Sequence, residues 1–124
     1  MVLVYPVISM GAQGHAGSRN NLLGKDAKQE LIDLFSNEKQ ITAQTPPAFL
    51  AHAVDDKAVP SSNSAMFHEG LRANHVESKY LELPSGGHGL NGYKGPMWDA
   101  WQTQSLEWLA KMNIIPAADA AGQK

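Results

Sequence analysis

The sequence predicts an α/β protein with three layers, in which helices cover both faces of a mostly parallel sheet. Strand-like and helix-like segments alternate three times along the chain, and this order predicts parallel strands joined by helical crossovers. The first two strand segments are apolar on both faces, which is typical of strands buried between helices. A chain of 124 residues is long enough for one domain with its own core.

The N-terminal third is predicted to contain a strand, a loop and a helix. The strand covers Val2–Ile8, a β-branched apolar run in which Pro6 removes one ladder donor. Residues 11–25 are rich in Gly and Asn and predict a loop. Apolar residues at helical spacing behind Asp26, a candidate N-cap, predict a helix over Ala27–Phe35. Because the first strand is of the buried type, we expect a neighbouring strand that this chain does not supply.

The middle of the chain is predicted to hold two strands around a helix. A compact apolar run after a Pro-Pro break predicts a buried strand over Ala48–His52. Three candidate cap residues open a predicted helix over Ser61–Asn74, and Asn74 is a suitable stop. In Ser78–Leu83, one face carries Lys79, Leu81 and Leu83 and the other carries Tyr80 and Glu82, a pattern that predicts a half-covered strand near a sheet edge.

The C-terminal third is predicted to be a glycine-rich connection followed by one long helix. The connection covers Pro84–Gly95, and the helix begins at Pro96, since proline suits the first turn of a helix. Its broad apolar stripe predicts core packing rather than a carbohydrate platform; the stripe consists of Trp98, Trp101, Trp108, Leu109 and Met112. We predict that residues 1–112 form the C-terminal part of a domain and that residues 113–124 form a flexible tail.

Composition excludes several classes of function. A net charge of -2 and a pI near 6.2 provide no basic surface for nucleic acid. The absence of cysteine excludes disulfides, thiolate metal sites and a cysteine nucleophile. The longest apolar run, Met1–Met10, is too short to span a bilayer and lacks the features of a signal peptide. We therefore expect neither a nucleic-acid nor a membrane partner, and the sequence assigns no compartment.

Two loops that follow predicted strands carry the candidate catalytic residues. Asp55 and Asp56 follow the second strand, and His88 follows the third, within Gly-Gly-His-Gly. Loops at the carboxyl ends of neighbouring parallel strands meet at one edge of the sheet. A buried carboxylate there can accept the Nδ1 proton of histidine and fix its tautomer, as in a Ser-His-Asp triad. Both Asp55 and Asp56 are candidates for that acid.

Five short motifs carry a resemblance to a known superfamily. In chain order they are Tyr5-Pro6-Val7-Ile8-Ser9-Met10, Gly17-Ser18-Arg19 with Leu22-Leu23-Gly24, Thr45-Pro46-Pro47-x-Phe49-Leu50, Asp56-x-x-Val59-Pro60-x-x-Asn63-Ser64, and Gly86-Gly87-His88-Gly89. Together they resemble acetyl-esterase and acetyl-xylan-esterase-like members of the α/β-hydrolase superfamily, which lie near the dienelactone-hydrolase and prolyl-oligopeptidase-like families. The resemblance implies the C-terminal half of an α/β-hydrolase fold. The family motif Asp-x-x-Val-Pro places the acid at Asp56 rather than Asp55, and it makes His88 the base. Asp55 is then expected to be a turn residue that bonds its own backbone.

The sequence departs from this superfamily in lacking its nucleophile. None of the nine serines lies in Gly-x-Ser-x-Gly, the strand-to-helix elbow that presents the nucleophile in this superfamily. Ser85 lies three residues from His88 but has no such elbow, so it is not a candidate nucleophile. The five histidines form no helical metal-binding pair, and we expect neither a metal nor a cofactor.

These observations leave three functions open. The first is a serine carboxylic-ester hydrolase that removes acetyl or short acyl groups from a carbohydrate or another small ester, present here as a fragment that is inactive alone. The second is a fragment of a prolyl-oligopeptidase-like serine peptidase. The third is a non-catalytic remnant that forms a homodimer through the exposed sheet edge at Val2–Ile8. An upstream reading frame that encodes Gly-x-Ser-x-Gly would favour the enzyme.

Overall fold

The computed structural model describes residues 1–117, and within them three strands form one parallel sheet. The strands are β1 (Val2–Val4), β2 (Ala48–Ala53) and β3 (Ser78–Leu83), in the spatial order β1-β2-β3. Val4 pairs with Ala51, and Ala53 pairs with Leu83, so β2 and β3 end level with one another. The predicted parallel α/β fold is confirmed.

Helices connect and cover these strands. Their bounds are Ala16–Leu23 (α1), Gln29–Phe35 (α2), Ser62–Ala73 (α3), Leu90–Tyr93 (α4) and Pro96–Lys111 (α5), with a short 3-10 helix at Asn37–Lys39. Within residues 1–117, none of these helices has both the length and the apolar character needed to cross a bilayer.

The core lies on both faces of β2, every residue of which is buried. Ala48 and Leu50 face α3, where they pack with Phe67 and Leu71. Alternate residues face α5, where the buried cluster contains Phe49, Ala51 and Trp108. Successive side chains of a strand point to opposite faces, so two covering helices require a strand that is almost entirely apolar, and His52 is the one polar residue of β2. The tryptophans of α5 therefore contribute to the core, as predicted.

The predicted strand Val2–Ile8 is shorter in the structure because the backbone leaves the sheet at Tyr5. Tyr5 has a φ of 42°, a value that strands do not adopt, although its N–H still donates to the Ala51 carbonyl at 2.7 Å. Ile8 remains buried, but its N–H donates to the side-chain oxygen of Asn63 at 3.0 Å. The residues between Tyr5 and Ile8 therefore form a loop that lines the core, which explains why they are apolar.

The segment 11–25, predicted to be a loop, contains helix α1. Residues of α1 are not buried, so they show no apolar stripe from which the sequence would predict a helix. The helix is instead fixed at its ends. Nδ1 of His15 accepts the Ser18 N–H at 3.1 Å, and Gly24 ends the helix with a φ of 88°.

The glycine-rich connection before α5 contains an uncommon left-handed turn. All four residues of α4 have positive φ, including 48° at Leu90 and 62° at Asn91. The Asn91 N–H donates to the Gly86 carbonyl, and the Tyr93 N–H donates to the Gly89 carbonyl, each at 2.9 Å. Left-handed backbone is costly for residues with a Cβ, so the buried Leu90 and these bonds hold α4 in place.

The division into a domain at 1–112 and a tail at 113–124 stays a prediction. The structure describes residues 113–117 of the expected tail, and residues 118–124 lie outside the described residues.

Candidate active site

Asp56 and His88 lie side by side at the carboxyl edge of the sheet. Nδ1 of His88 lies 2.8 Å from Oδ2 of Asp56, at hydrogen-bonding distance. The level ends of β2 and β3 produce this meeting, since Ala53 and Leu83 are paired and each loop needs only a few residues to reach the other. The structure thus brings together the two residues singled out from the sequence.

The Asp56 carboxylate is fixed by its own turn. Oδ1 accepts the backbone N–H groups of Ala58 and Val59, each at 2.9 Å, and the side chain is fully buried. Burial acts to raise the pKa of Asp56, but the hydrogen bonds from Val59 and His88 outweigh it, and the pKa lies below its ordinary value. The residue is therefore an anionic acceptor at neutral pH.

A second histidine, His52, supports the carboxylate from the core side. Its Nε2 lies 2.9 Å from the Val59 carbonyl and 3.2 Å from Oδ2 of Asp56, and its Nδ1 lies 2.7 Å from the Ser64 hydroxyl. Because a carbonyl only accepts, Nε2 carries the proton and Nδ1 accepts from Ser64. Burial is the main cause that lowers the pKa of His52, so this imidazole is neutral.

The sequence analysis did not assign this role to His52, which it considered only as a metal ligand. Its partner Ser64 lies twelve residues away on α3, and nothing local joins the two. A polar residue at the end of an otherwise apolar strand was the one available signal, because a buried polar group needs a partner.

The imidazole of His88 is open on its outer side. The side chain is 42% exposed, and no hydrogen bond to Nε2 is present within residues 1–117. The ring of Tyr5 packs against it with centroids 4.5 Å apart. Burial, followed by the nearby Tyr93, raises the pKa of the Tyr5 phenol. Asp56 thus holds the imidazole of His88 through Nδ1, Tyr5 packs against its ring, and Nε2 faces outward.

Asp55 does not bond its own backbone, contrary to the prediction. Its Oδ1 accepts the N–H of Gly87 at 2.8 Å, and its Oδ2 accepts the N–H of Gly86 at 3.3 Å. Two consecutive aspartates therefore bind three consecutive residues of the opposite loop, ending with His88.

The other candidate residues stay outside this arrangement. No serine hydroxyl, that of Ser85 included, hydrogen-bonds to His88 among the residues that the structure describes. His15 caps α1, and Nδ1 of His68 lies 2.8 Å from the Ser78 hydroxyl. Over the described part of the chain, no three His, Asp or Glu side chains cluster as metal ligands would.

Comparison with known proteins gives the family of the chain. The model of the prolyl oligopeptidase family matches residues 11–113. The chain belongs to the prolyl oligopeptidase family. Its α/β-hydrolase fold is that of hydrolytic enzymes of the esterase type, and the resemblance stated from the sequence is confirmed.

Two curated relatives of the chain have names that refer to xylan. Endo-1,4-beta-xylanase B of Butyrivibrio fibrisolvens is 36% identical over 101 residues, which cover 82% of this chain and 16% of the relative. Acetylxylan esterase of Xylanibacter ruminicola is 34% identical over 122 residues, which cover 94% of this chain and 25% of the relative. The chain therefore spans a quarter or less of the length of these relatives.

Solved structures agree with this family assignment. The acetyl ester-xyloside bifunctional hydrolase of Caldicellulosiruptor lactoaceticus superposes with a TM-score of 0.87 at 33% identity, covering 92% of this chain and 42% of the other. A carboxylesterase of Lactobacillus plantarum superposes with a TM-score of 0.76 at 24% identity, covering 94% of this chain and 45% of the other. The second likeness bears on the fold alone.

Proposed function

We propose that this chain supplies the acid and the base of a serine carboxylic-ester hydrolase. The observation that carries the proposal is the 2.8 Å contact between Nδ1 of His88 and the buried carboxylate of Asp56. Such a carboxylate keeps the proton on Nδ1 and leaves Nε2 as the base. The open Nε2 of His88 is then the atom that faces the substrate.

In the proposed reaction, the nucleophile is a serine in a part of the protein outside this sequence. Nε2 of His88 takes the hydroxyl proton while the serine oxygen attacks the ester carbonyl, and Asp56 stabilises the imidazolium. The same proton passes to the leaving alcohol as the C–O bond breaks. Water then attacks the acyl-serine carbonyl and loses a proton to Nε2. Nε2 passes this proton to the serine oxygen as the acyl C–O bond breaks, which releases the carboxylic acid and restores the serine and the imidazole.

The proposed substrate is an acetyl or other short acyl ester of a carbohydrate. An acetylxylan esterase at 34% identity and a hydrolase described as acting on acetyl esters and xylosides at 33% identity support this class. The chain lacks Gly-x-Ser-x-Gly, so we propose that it is a fragment and that, alone, it shows no turnover of p-nitrophenyl acetate above a buffer blank.

A chimera tests the proposal. Residues 1–112 of this chain replace the superposing segment of the Caldicellulosiruptor lactoaceticus hydrolase, and acetate release from p-nitrophenyl acetate and from acetylated xylo-oligosaccharide is measured. We expect activity in the chimera and its loss in the His88→Gln variant, with the exposed His75→Gln variant as the matched control. A folded chimera in which His88→Gln is as active as the parent would refute the proposal.

The family name favours a second candidate, a serine peptidase, because the same acid and base serve amide hydrolysis. The same chimera distinguishes the two functions if it is also given a prolyl p-nitroanilide substrate. Hydrolysis of the anilide without hydrolysis of the acetyl ester would favour the peptidase.

A third candidate, the non-catalytic homodimer, rests on the free edge of β1. Val2 is 37% exposed, and β1 pairs only with β2 among the described residues. An unpaired edge is a template for a second strand. The N–H groups of Val2 and Val4 face the free side of β1, because Met1 and Tyr5 bond to β2. Sedimentation of the chain with and without Val2→Pro therefore tests this candidate, and a parent chain that is monomeric, like the variant, would remove it.

A further inference from the structure

The carboxylate of Asp55 binds the backbone of the loop that carries His88 and not the backbone of its own turn. It reaches across the carboxyl edge of the sheet and accepts the N–H groups of Gly87 and Gly86 at 2.8 and 3.3 Å. Each oxygen binds one N–H, so the two bonds fix both the position and the orientation of the peptide units that precede His88.

The backbone of the His88 loop is shaped to receive this carboxylate. Gly86 and Gly87 have φ values of 119° and 59°, both in the region that favours glycine. Successive N–H groups in such a conformation can point to one side and form a small concave anion site. A Cβ on Gly86 would lie 3.2 Å from the Cα of Leu90, so the tight approach to α4 also requires glycine there.

The turn that carries Asp55 is itself held to the sheet. The N–H of Val54 donates to the Leu83 carbonyl at 2.9 Å, and the N–H of Asp56 donates to the Ala53 carbonyl at 3.2 Å. Asp55 lies between these two anchored residues. The backbone of the exposed Asp55 is therefore held in place, and its carboxylate reaches the facing loop from this held turn.

We propose that Asp55 is a positioning residue that holds the backbone of the His88 loop while Asp56 binds the imidazole. A Gly-Gly segment is the most mobile kind of backbone, and without an anchor His88 would sample positions beyond reach of Oδ2 of Asp56. The anchor thus keeps Nδ1 of His88 within 2.8 Å of Oδ2 of Asp56. The catalytic relevance of this role rests on the proposed function, but the role itself does not require turnover.

The test is NMR of the 124-residue chain, which reads the His88 Nδ1–H signal and its exchange with solvent. Asp55→Ala removes both acceptors, and we expect exchange of this imidazole proton and of the Gly86 and Gly87 amides to rise about tenfold. Asp55→Asn keeps one acceptor oxygen and should rescue much of the protection. Asp26→Ala, at an exposed aspartate before α2, is the matched control and should change nothing.

Two results would overturn the proposal. If exchange rises at the two glycine amides while the His88 Nδ1–H stays within about twofold of the parent, Asp55 stabilises a turn and does not position the histidine. If the exchange rates of the glycine amides and of the His88 Nδ1–H are both unchanged, the contacts of Asp55 do not hold the loop. If Asp55→Ala does not fold, the same exchange rates are compared between Asp55→Asn and Asp26→Asn. Faster exchange of the His88 Nδ1–H in Asp55→Asn alone supports the proposal, and equal rates in the two variants contradict it. Because no substrate is involved, an inactive chimera with an intact Nδ1–H signal would count against the proposed function only.

Discussion

The imidazole of His52 lies on the core side of the Asp56 carboxylate, with Nε2 3.2 Å from Oδ2. The same oxygen binds His88 on the outer side at 2.8 Å. One carboxylate oxygen is therefore shared by a buried neutral imidazole and an exposed one. The buried ring has its own partners in Ser64 and Val59, so it supports Asp56 without competing for the proton of His88.

The first prediction concerns Asp56→Asn in the active chimera. We expect kcat to fall by about 10⁴-fold, because the amide presents an N–H to Nδ1 of His88 and favours the wrong tautomer. The measurement is p-nitrophenyl acetate hydrolysis, with Asp26→Asn as control. A loss of less than about tenfold would show that this carboxylate does not orient the base.

The second prediction concerns pH. Burial lowers the pKa of His52, so below about pH 6.5 the unfolded chain binds a proton that the folded chain refuses, and stability falls as the pH falls. Burial, followed by Arg72, lowers the pKa of His68 and adds to the same trend. The pKa of Asp56 is also lowered, which adds a further loss below about pH 4, as its carboxylate becomes protonated.

Urea unfolding at about pH 7.5 and about pH 5.5 measures this effect. We expect His52→Asn and His68→Asn each to reduce the pH dependence. His75→Asn is the matched control, because His75 is exposed and its φ of 57° suits asparagine. A stability that is constant between the two pH values would contradict the prediction.

The third prediction concerns Asn63, which is fully buried with four hydrogen bonds. Its oxygen accepts the N–H groups of Ile8 and Ser9, and its nitrogen donates to the carbonyls of Gln13 and Pro60. Asn63→Ala leaves these groups without partners and should lower the free energy of unfolding by about 2–4 kcal/mol. Urea denaturation measures this loss.

Asn74→Ala is the matched control for Asn63→Ala, since the Asn74 side chain makes one bond, to the Gly70 carbonyl at 2.9 Å. Its loss should be about 1 kcal/mol. Equal losses in the two variants would mean that the Asn63 contacts do not anchor the segment after β1.

The fourth prediction concerns the left-handed turn α4. Asn91 has a φ of 62° and a ψ of 33°, which asparagine tolerates and alanine does not. Asn91→Ala should therefore lower the unfolding free energy by about 1 kcal/mol, and Asn91→Gly should be close to neutral. Thermal unfolding of the two variants compares them directly, and alanine matching glycine would show that the turn relaxes to another conformation.

The sequence predicted best those elements that bury an apolar face. The helix Ser62–Ala73 and the strand Ser78–Leu83 lie within a residue of their predicted bounds, because periodicity in the sequence reports burial directly. The meeting of a carboxylate with His88 followed from parallel strands, and the choice of Asp56 over Asp55 followed from the family motif. Helix α1 was missed because its residues bury nothing, and its ends are set by local hydrogen bonds that apolar periodicity does not report.

The support around Asp56 was beyond sequence reasoning for a different reason. The contact between His52 and Ser64 depends on how α3 packs against β2, and residue types do not specify that packing. For Asp55, the same sequence is compatible with hydrogen bonds to its own turn and with hydrogen bonds to the loop that carries His88. The choice between them depends on positive φ values at Gly86 and Gly87, which glycine permits but does not require.

The level ends of β2 and β3 also determine where the chain can tolerate changes in length. Adding one residue between Ala53 and Asp56, or between Leu83 and His88, would displace one partner by about 3.3 Å and break the contact. Adding one between α3 and β3 changes a connection at the opposite rim and leaves the register intact. Gaps in alignments of related chains should accordingly be rare in the first two places and frequent in the third.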